Sequence, residues 1–143
     1  MRGRGGSVES PRLVLLGTGV AGCAIILKYM KDCREEWYDA EAKVSVTIVD
    51  VTSAAQELAR GHLAGPTASH YLTEALASVA LLGAEMSEAD ETVILQTKCE
   101  GPLGGCNVEC TAAGTLRGYT EKKVLEDFDG LGRPDDRKVI GKQ

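Results

Sequence analysis

Aromatic residues are few in this sequence, and positive charge is not in excess. Aromatic side chains make up 4% of the 143 residues, and the formal net charge is −5. Proteins that bind nucleic acid neutralise phosphates with Lys and Arg, and single-strand binders add aromatic stacking platforms. The composition therefore argues against nucleic acid as a partner, and the negative charge argues against anionic membrane surfaces.

The sequence also lacks a hydrophobic run of membrane-spanning length. The apolar stretch at residues 13–27 has 15 residues, whereas a transmembrane helix needs about 20. We therefore expect no membrane span. The chain is nevertheless long enough for one domain with a real hydrophobic core.

Cysteines are present, but not in the patterns of a disulfide framework or a zinc site. The five cysteines are an odd number, and no two have the Cys-x-x-Cys spacing of a zinc knuckle. Cys106 and Cys110 share one face of a predicted strand and are too far apart for a disulfide within it. The odd number indicates reduced thiols, and the missing spacing indicates that they bind no metal. Because His62 and His70 also lack partners for catalysis, we do not expect an enzyme.

The strongest pattern in the chain predicts one long amphipathic helix over residues 66–86. Pro66 suits the first helical position, where a missing N–H costs nothing. Apolar residues then recur every three or four positions and form a single stripe, namely Ala68, Leu72, Ala75, Val79, Leu82 and Met86. The stripe is widened by Tyr71, Leu76, Ala80 and Gly83, and Leu81 falls on the opposite, outer face. The small residues that let another element approach closely are Ala77, Ala80 and Gly83.

The segments around this helix predict a largely antiparallel sheet. Residues 44–49 are an apolar, β-branched run, which indicates a buried strand, and a short helix at residues 54–60 follows. Three short segments joined by glycine turns predict an antiparallel meander: residues 92–99, 106–110 and 115–120. Residues 139–141 have the pattern of a further strand's beginning. The predicted fold class is α+β, a largely antiparallel sheet covered by the long helix and incomplete at the C-terminus.

The N-terminal part of the chain allows three interpretations. The first is structural: a buried strand, a glycine turn and a helix at Ala24–Trp37, with a charged helix end or linker at Arg34–Glu41. The second is a targeting leader at residues 1–23, where arginines precede a short apolar run that ends in a lipoprotein-like box. With such a leader, the protein would be directed to an organelle or anchored as a lipoprotein.

The third interpretation is a dinucleotide fingerprint formed by Gly17, Gly19 and Gly22. Such glycines let the backbone approach a pyrophosphate at a helix N-terminus. Asp50 is then the candidate ligand of a ribose hydroxyl, although it lies 28 residues after Gly22 rather than about 20 after the motif. Its more ordinary role is that of a strand-end or turn residue. A protein of this type would bind NAD or FAD and would pair residues 13–16 and 44–49 as parallel strands.

Six segments carry, in order, a resemblance to a known family: Thr52–Gly61, Gly65–Ala68, Leu81–Ala84, Glu100–Gly105, Asn107–Glu109 and Leu116–Tyr119. The Gly-Pro-Leu-Gly turn and the Arg-Gly-Tyr strand are fairly specific in this arrangement. Over roughly residues 44–120 the chain resembles the N-terminal core of the redox-regulated heat-shock holdases, the 33 kDa chaperonin family.

The resemblance implies a cytosolic, ATP-independent chaperone that binds unfolding client proteins through exposed apolar surface. Leu81 and Ala77 are the residues expected at a client-binding surface or a homodimer contact. The family's redox switch is a zinc site of Cys-x-Cys and Cys-x-x-Cys pairs, which this chain lacks, so we expect neither zinc nor another cofactor. We divide the chain into an N-terminal extension, residues 1–43, and a partial holdase-like core, residues 44–143.

Overall fold

The structure is a computed structural model, and it describes residues 32–129 and 134–141. The glycine motif at residues 17–22 and the leader considered at residues 1–23 lie outside the described residues. The helices and strands are, in order, β1 (Cys33–Asp39), β2 (Val44–Asp50), α1 (Thr52–His62), α2 (Pro66–Leu82), β3 (Thr92–Lys98), β4 (Gly105–Thr111), β5 (Leu116–Thr120) and α3 (Asp136–Val139). A 3₁₀ turn at Gly83–Glu85 continues α2.

The predicted meander is confirmed. Strands β3, β4 and β5 form an antiparallel three-stranded sheet in that order, and α2 packs mainly on β4 and β5. The side chains that fill the space between helix and sheet are at most 1% exposed, and they are Leu72, Leu76, Val79, Val108 and Cys110. Full burial of an aliphatic side chain stabilises the fold by about 1.5–3 kcal/mol. The α+β class is confirmed by this arrangement.

The long helix begins at Pro66 as predicted, and the residues that form and widen the predicted stripe are buried or partly buried, with the exception of Leu82. Near its end Leu76 and Ala80 are buried, whereas Leu82, which the stripe places inside, is 49% exposed. The two ends of α2 pack on different parts of the molecule. Tyr71 joins a small cluster with Leu103 of the β3–β4 turn and Val139 of α3, and Ala80 lies beside the β1–β2 hairpin. The buried side therefore shifts around the helix along its length.

Strands β1 and β2 form a separate antiparallel hairpin, and three predictions for this region are wrong. Within the predicted helix Ala24–Trp37, residues 33–37 belong to strand β1. The segment Arg34–Glu41 is strand and turn, not a helix end or linker. The run Val44–Val49 is not a buried strand, because Val44 and Val46 are 50% and 48% exposed.

The charged sequence of β1 explains why local pattern missed the hairpin. Four of the seven residues in β1 carry charge, so the strand has no apolar alternation, and it forms because β2 provides its hydrogen-bond partners. The turn between the strands contains Lys43, where the predicted N-terminal extension ends. The division of the chain into two domains stays a prediction.

The last described segment is a short helix, not the beginning of a strand as predicted. The Asp135 carboxylate accepts the Arg137 N–H at 3.2 Å and opens α3. The carbonyls of Val139 and Ile140 accept hydrogen bonds from the glycine turn at Gly101–Leu103, at 3.2 and 2.8 Å. The N–H groups of Val139 and Ile140 donate to the carbonyls of Asp135 and Asp136, at 3.0 and 2.8 Å, so the segment is helical rather than extended.

Candidate functional site

The structure separates the two residues predicted for a client or dimer contact. Leu81 is 43% exposed at the end of α2, beside the equally open Leu82. Ala77 is partly buried and packs against the main core. The outward position of Leu81 agrees with the helical pattern, while Ala77 contributes mainly to packing. Their role in binding stays a prediction.

A larger apolar surface, which the sequence pattern missed, lies on the β1–β2 hairpin. The strand register places four large apolar side chains on one face, with exposed fractions of 39–50%: Trp37, Val44, Val46 and Ile48. We call these four residues the outer hairpin face. The sequence of β2 alternates, with apolar residues at 44, 46 and 48 and Ser45 and Thr47 between them. This alternation predicts a strand with one apolar face. The five apolar and β-branched residues of the run also fit a strand buried on both faces, which is the structure predicted for this run.

The opposite face of the hairpin is attached to the body of the domain at its base, while Tyr38 on the same face near the turn is 70% exposed. Arg34 donates a hydrogen bond from Nη1 to the Gly83 carbonyl at 3.0 Å, and Val49 packs on the main core. Immediately before β1, both carboxylate oxygens of Asp32 accept N–H groups at the start of α1, from Ser53 and Ala54, at 2.6 Å each. A carboxylate in this position satisfies free helix donors and complements the helix dipole.

A cavity of about 370 Å³ lies between the hairpin and the body, and it contains two thiols. Cys33 and Cys110 line it together with Arg34. Burial raises the pKa of the Cys110 thiol, although the nearby Arg34 guanidinium acts in the opposite direction. Burial and the carboxylates of Glu35 and Asp50 raise the pKa of Cys33. Because the thiolate is the reactive form, neither thiol is prepared for nucleophilic chemistry at neutral pH.

Asp50, the candidate ribose ligand of the dinucleotide interpretation, stabilises a turn in the structure. Asp50 ends β2, and its Oδ1 accepts the Thr52 N–H at 2.9 Å, which closes the turn into α1. Strand β2 is antiparallel to β1, whereas a dinucleotide-binding unit requires parallel neighbours. The other residues of that motif, Gly17, Gly19 and Gly22, lie outside the described residues.

The part of the chain that the structure describes offers apolar surface rather than a reactive centre. Across residues 32–129 and 134–141, no three His, Cys, Asp or Glu side chains are arranged to hold a metal ion. Nor does any helix in these ranges have the length and hydropathy that crossing a bilayer requires. The fold and surface therefore define a small α+β domain with an exposed apolar hairpin.

Comparison with known proteins gives one consistent result. A family model described as Hsp33 protein matches residues 36–142. A 33 kDa chaperonin from Synechococcus elongatus is 34% identical over 99 residues, which are 68% of this chain and 32% of the relative. A 33 kDa chaperonin from a Geobacillus species is 33% identical over 107 residues, 73% of this chain and 35% of the relative. One from Staphylococcus carnosus is 31% identical over 104 residues, with shares of 72% and 34%.

The chain belongs to the Hsp33 family, because the family model covers most of its length. It spans about a third of the length of the curated relatives it matches. The match begins inside β1, so it includes most of the hairpin as well as the helix and the meander.

Proposed function

We propose that this chain is the core of an ATP-independent molecular chaperone, a holdase that binds unfolding proteins through exposed apolar surface. The observation that carries the proposal is the Hsp33 family match over residues 36–142, together with the name of the relatives, 33 kDa chaperonin. The proposed partners are unfolded client proteins in the cytosol, and a homodimer is a further proposed assembly.

The exposed apolar surface supports this function physically. Besides the outer hairpin face, large apolar side chains are open to solvent at the end of α2 and on β3, namely Leu81, Leu82 and Ile94, with exposed fractions of 43%, 49% and 62%. Hydrophobic attraction is non-directional and scales with the apolar area removed from water. A surface of this kind can hold many unrelated unfolded segments without recognising one sequence.

The proposed activity uses no cofactor and no catalytic step. The four-cysteine pattern of the family's zinc switch is missing from the sequence, so we do not assign redox control by zinc release to this chain. We do not propose a role for NAD or FAD either, because the Asp50 carboxylate is engaged with the backbone at the start of α1. A thermal-shift scan with millimolar NAD and FAD checks this point, and a clear stabilisation by either would contradict it.

The decisive experiment is suppression of protein aggregation. Citrate synthase is heated with an excess of this chain, and light scattering is followed with and without ATP. We expect reduced scattering that ATP does not change. A double variant Trp37→Ser/Ile48→Ser is expected to protect less, because it removes apolar surface from the outer hairpin face. The matched control Gln56→Ser/Gln96→Ser changes two exposed polar residues and should protect as well as the parent chain. No protection by the parent chain at excess would refute the proposal.

A further inference from the structure

The outer hairpin face has an acidic border as well as an apolar centre. Direct cross-strand partners share a face of a sheet, and the register pairs Glu35 with Ile48, Asp39 with Val44, and Cys33 with Asp50. The carboxylates of Glu35 and Asp39 therefore lie on the same face as the four apolar side chains, whereas Cys33 and Asp50 lie at the base of the hairpin and line the cavity beside the body.

Positive charge is nearly absent from this face in the described part of the hairpin. Arg34 lies on the opposite face, where it bonds to the body of the domain and pairs with Glu36 at 3.1 Å. The other cation of the hairpin, Lys43, is in the turn. The Asp39 carboxylate also accepts backbone N–H groups of the turn, from Glu41 and Ala42. The face thus combines an apolar centre with fixed negative charge at its edges.

The outer edge of β2 is suited to pairing with an added strand. Among the described strands, β2 pairs only with β1, which leaves one row of its backbone groups without a strand partner in that part of the chain. From Val44 to Val49 the strand has no charge, proline or glycine. Protein edge strands usually carry such residues, because they prevent another strand from adding. Strand β1, by contrast, carries four charges.

From these features we infer that the outer hairpin face binds an extended segment of an unfolded client as an added β-strand on β2. The segment has apolar or aromatic residues at alternate positions and Lys or Arg at its ends. The inference rests on the proposed function and specifies which client segments this site prefers. Backbone hydrogen bonds to β2 supply sequence-independent affinity, the apolar side chains extend the row at Val44, Val46 and Ile48, and the basic ends meet the acidic border.

Trp37 gives a direct readout, because it is the only tryptophan in the chain and lies in the centre of the face. The probes are two peptides that contain no tryptophan and share one alternating apolar centre, with two Lys at each end of one and two Glu at each end of the other. We expect the Lys peptide to shift Trp37 emission to the blue and to bind about tenfold more tightly at low salt. The difference should largely disappear near 1 M salt, where the Debye length is about 3 Å.

Variants separate the apolar and charged parts of the site. Val46→Lys should abolish the Trp37 response to peptide, and the milder Val46→Thr, which keeps a β-branched side chain, should weaken it. Gln96→Lys places the same charge at an exposed polar position of β3 and should leave binding unchanged. In the double variant Glu35→Gln/Asp39→Asn, the two peptides should bind with nearly equal affinity. Equal binding of both peptides by the parent chain would overturn the charge preference.

Other occupants of the face give different results, each of which overturns the inference. A concentration-dependent dimer in sedimentation, lost in Val46→Lys, assigns the face to a second copy of this chain. If peptide leaves Trp37 emission unchanged in the full chain but shifts it after removal of residues 1–31, the face is assigned to the chain's own N-terminal segment. The aggregation assay distinguishes the proposed chaperone function from the proposed binding site on the outer hairpin face. If the parent chain protects citrate synthase but Trp37 does not respond to peptide, the chaperone function stands and this binding site fails.

Discussion

At the residue scale, Gly83 shows how the absence of a side chain sets the distance between two elements. It follows the last residue of α2, and its carbonyl accepts the Arg34 hydrogen bond that holds the hairpin. A Cβ built on Gly83 would lie 2.9 Å from the Cys110 Sγ and 3.1 Å from the Met86 Cε. The small size of Gly83 predicts a close approach at this point of the chain, and β4 is the element that approaches.

Gly83→Ala is therefore expected to destabilise the domain. Overpacking in a filled core costs about 1–3 kcal/mol, and urea unfolding followed by circular dichroism measures the loss. In a Cys110→Ala background the added methyl group has room, so the penalty should shrink. Gly61→Ala is the matched control, because Gly61 lies in α1 with nothing within 4 Å of an added Cβ. It should be neutral or slightly stabilising. An equal loss at Gly83 with and without Cys110 would contradict this explanation.

At the scale of one element, the start of α2 depends on a carboxylate from a distant part of the chain. Asp129 accepts the Thr67 N–H at 2.9 Å from 62 residues away, and also the Leu125 N–H at 3.2 Å. Burial acts to raise the pKa of Asp129, but the hydrogen bonds from Thr67 and Leu125 outweigh it and lower the pKa below its ordinary value. The charged form of Asp129 is thus the form that the folded state favours.

Asp129→Asn should reveal this contribution through its pH dependence. A lowered folded-state pKa means that the stabilisation is fully present above the unfolded value of about 3.9 and is lost as the pH falls through the folded value. At pH 7 we expect the variant to be about 1 kcal/mol less stable, the usual cost of a lost helix cap. The difference should begin to shrink as the pH falls below the unfolded value, and it should vanish once the pH is below the lowered folded-state pKa of Asp129. Urea unfolding between pH 7 and this range measures the difference in stability, with the exposed Asp127→Asn as control. A difference that does not change with pH would contradict the proposed role of the Asp129 charge.

At the scale of the whole molecule, the hairpin is the least self-sufficient part of the described structure. A two-stranded sheet is marginally stable alone in water. Its order depends on attachment through Arg34, Val49 and the Asp32 cap of α1. The surface proposed for client binding therefore belongs to an element that can loosen while the helix and meander stay folded.

Arg34→Ala should loosen the hairpin selectively. Hydrogen bonds to charged groups contribute about 1.5–3 kcal/mol, so we expect amide exchange in β1 and β2 to accelerate by at least about tenfold. Amides of β4, in the centre of the other sheet, should keep their protection. Arg117→Ala is the control, because Arg117 pairs with Glu109 on an exposed surface. Equal acceleration in β4 would show instead that hairpin and body unfold as one unit.

The features that the sequence predicted correctly are determined by residues close to them in the chain. Pro66 sets the first turn of α2 through its fixed backbone angle, and the glycine turns separate three strands short enough to form only a meander. The resemblance to the 33 kDa chaperonins rested on the same local segments and was confirmed by the family match. These features depend on backbone preference and side-chain period, which neighbouring residues alone specify.

The tertiary structure decided everything that depends on a partner far along the chain. Strand β1 exists because β2 pairs with its charged sequence, and Leu82 is exposed because the buried side of α2 turns toward different neighbours at its two ends. The Asp129 cap joins residues 62 positions apart. Which face of an element is covered is set by the energy of packing against distant residues, and periodicity within the element carries no information about where those residues lie.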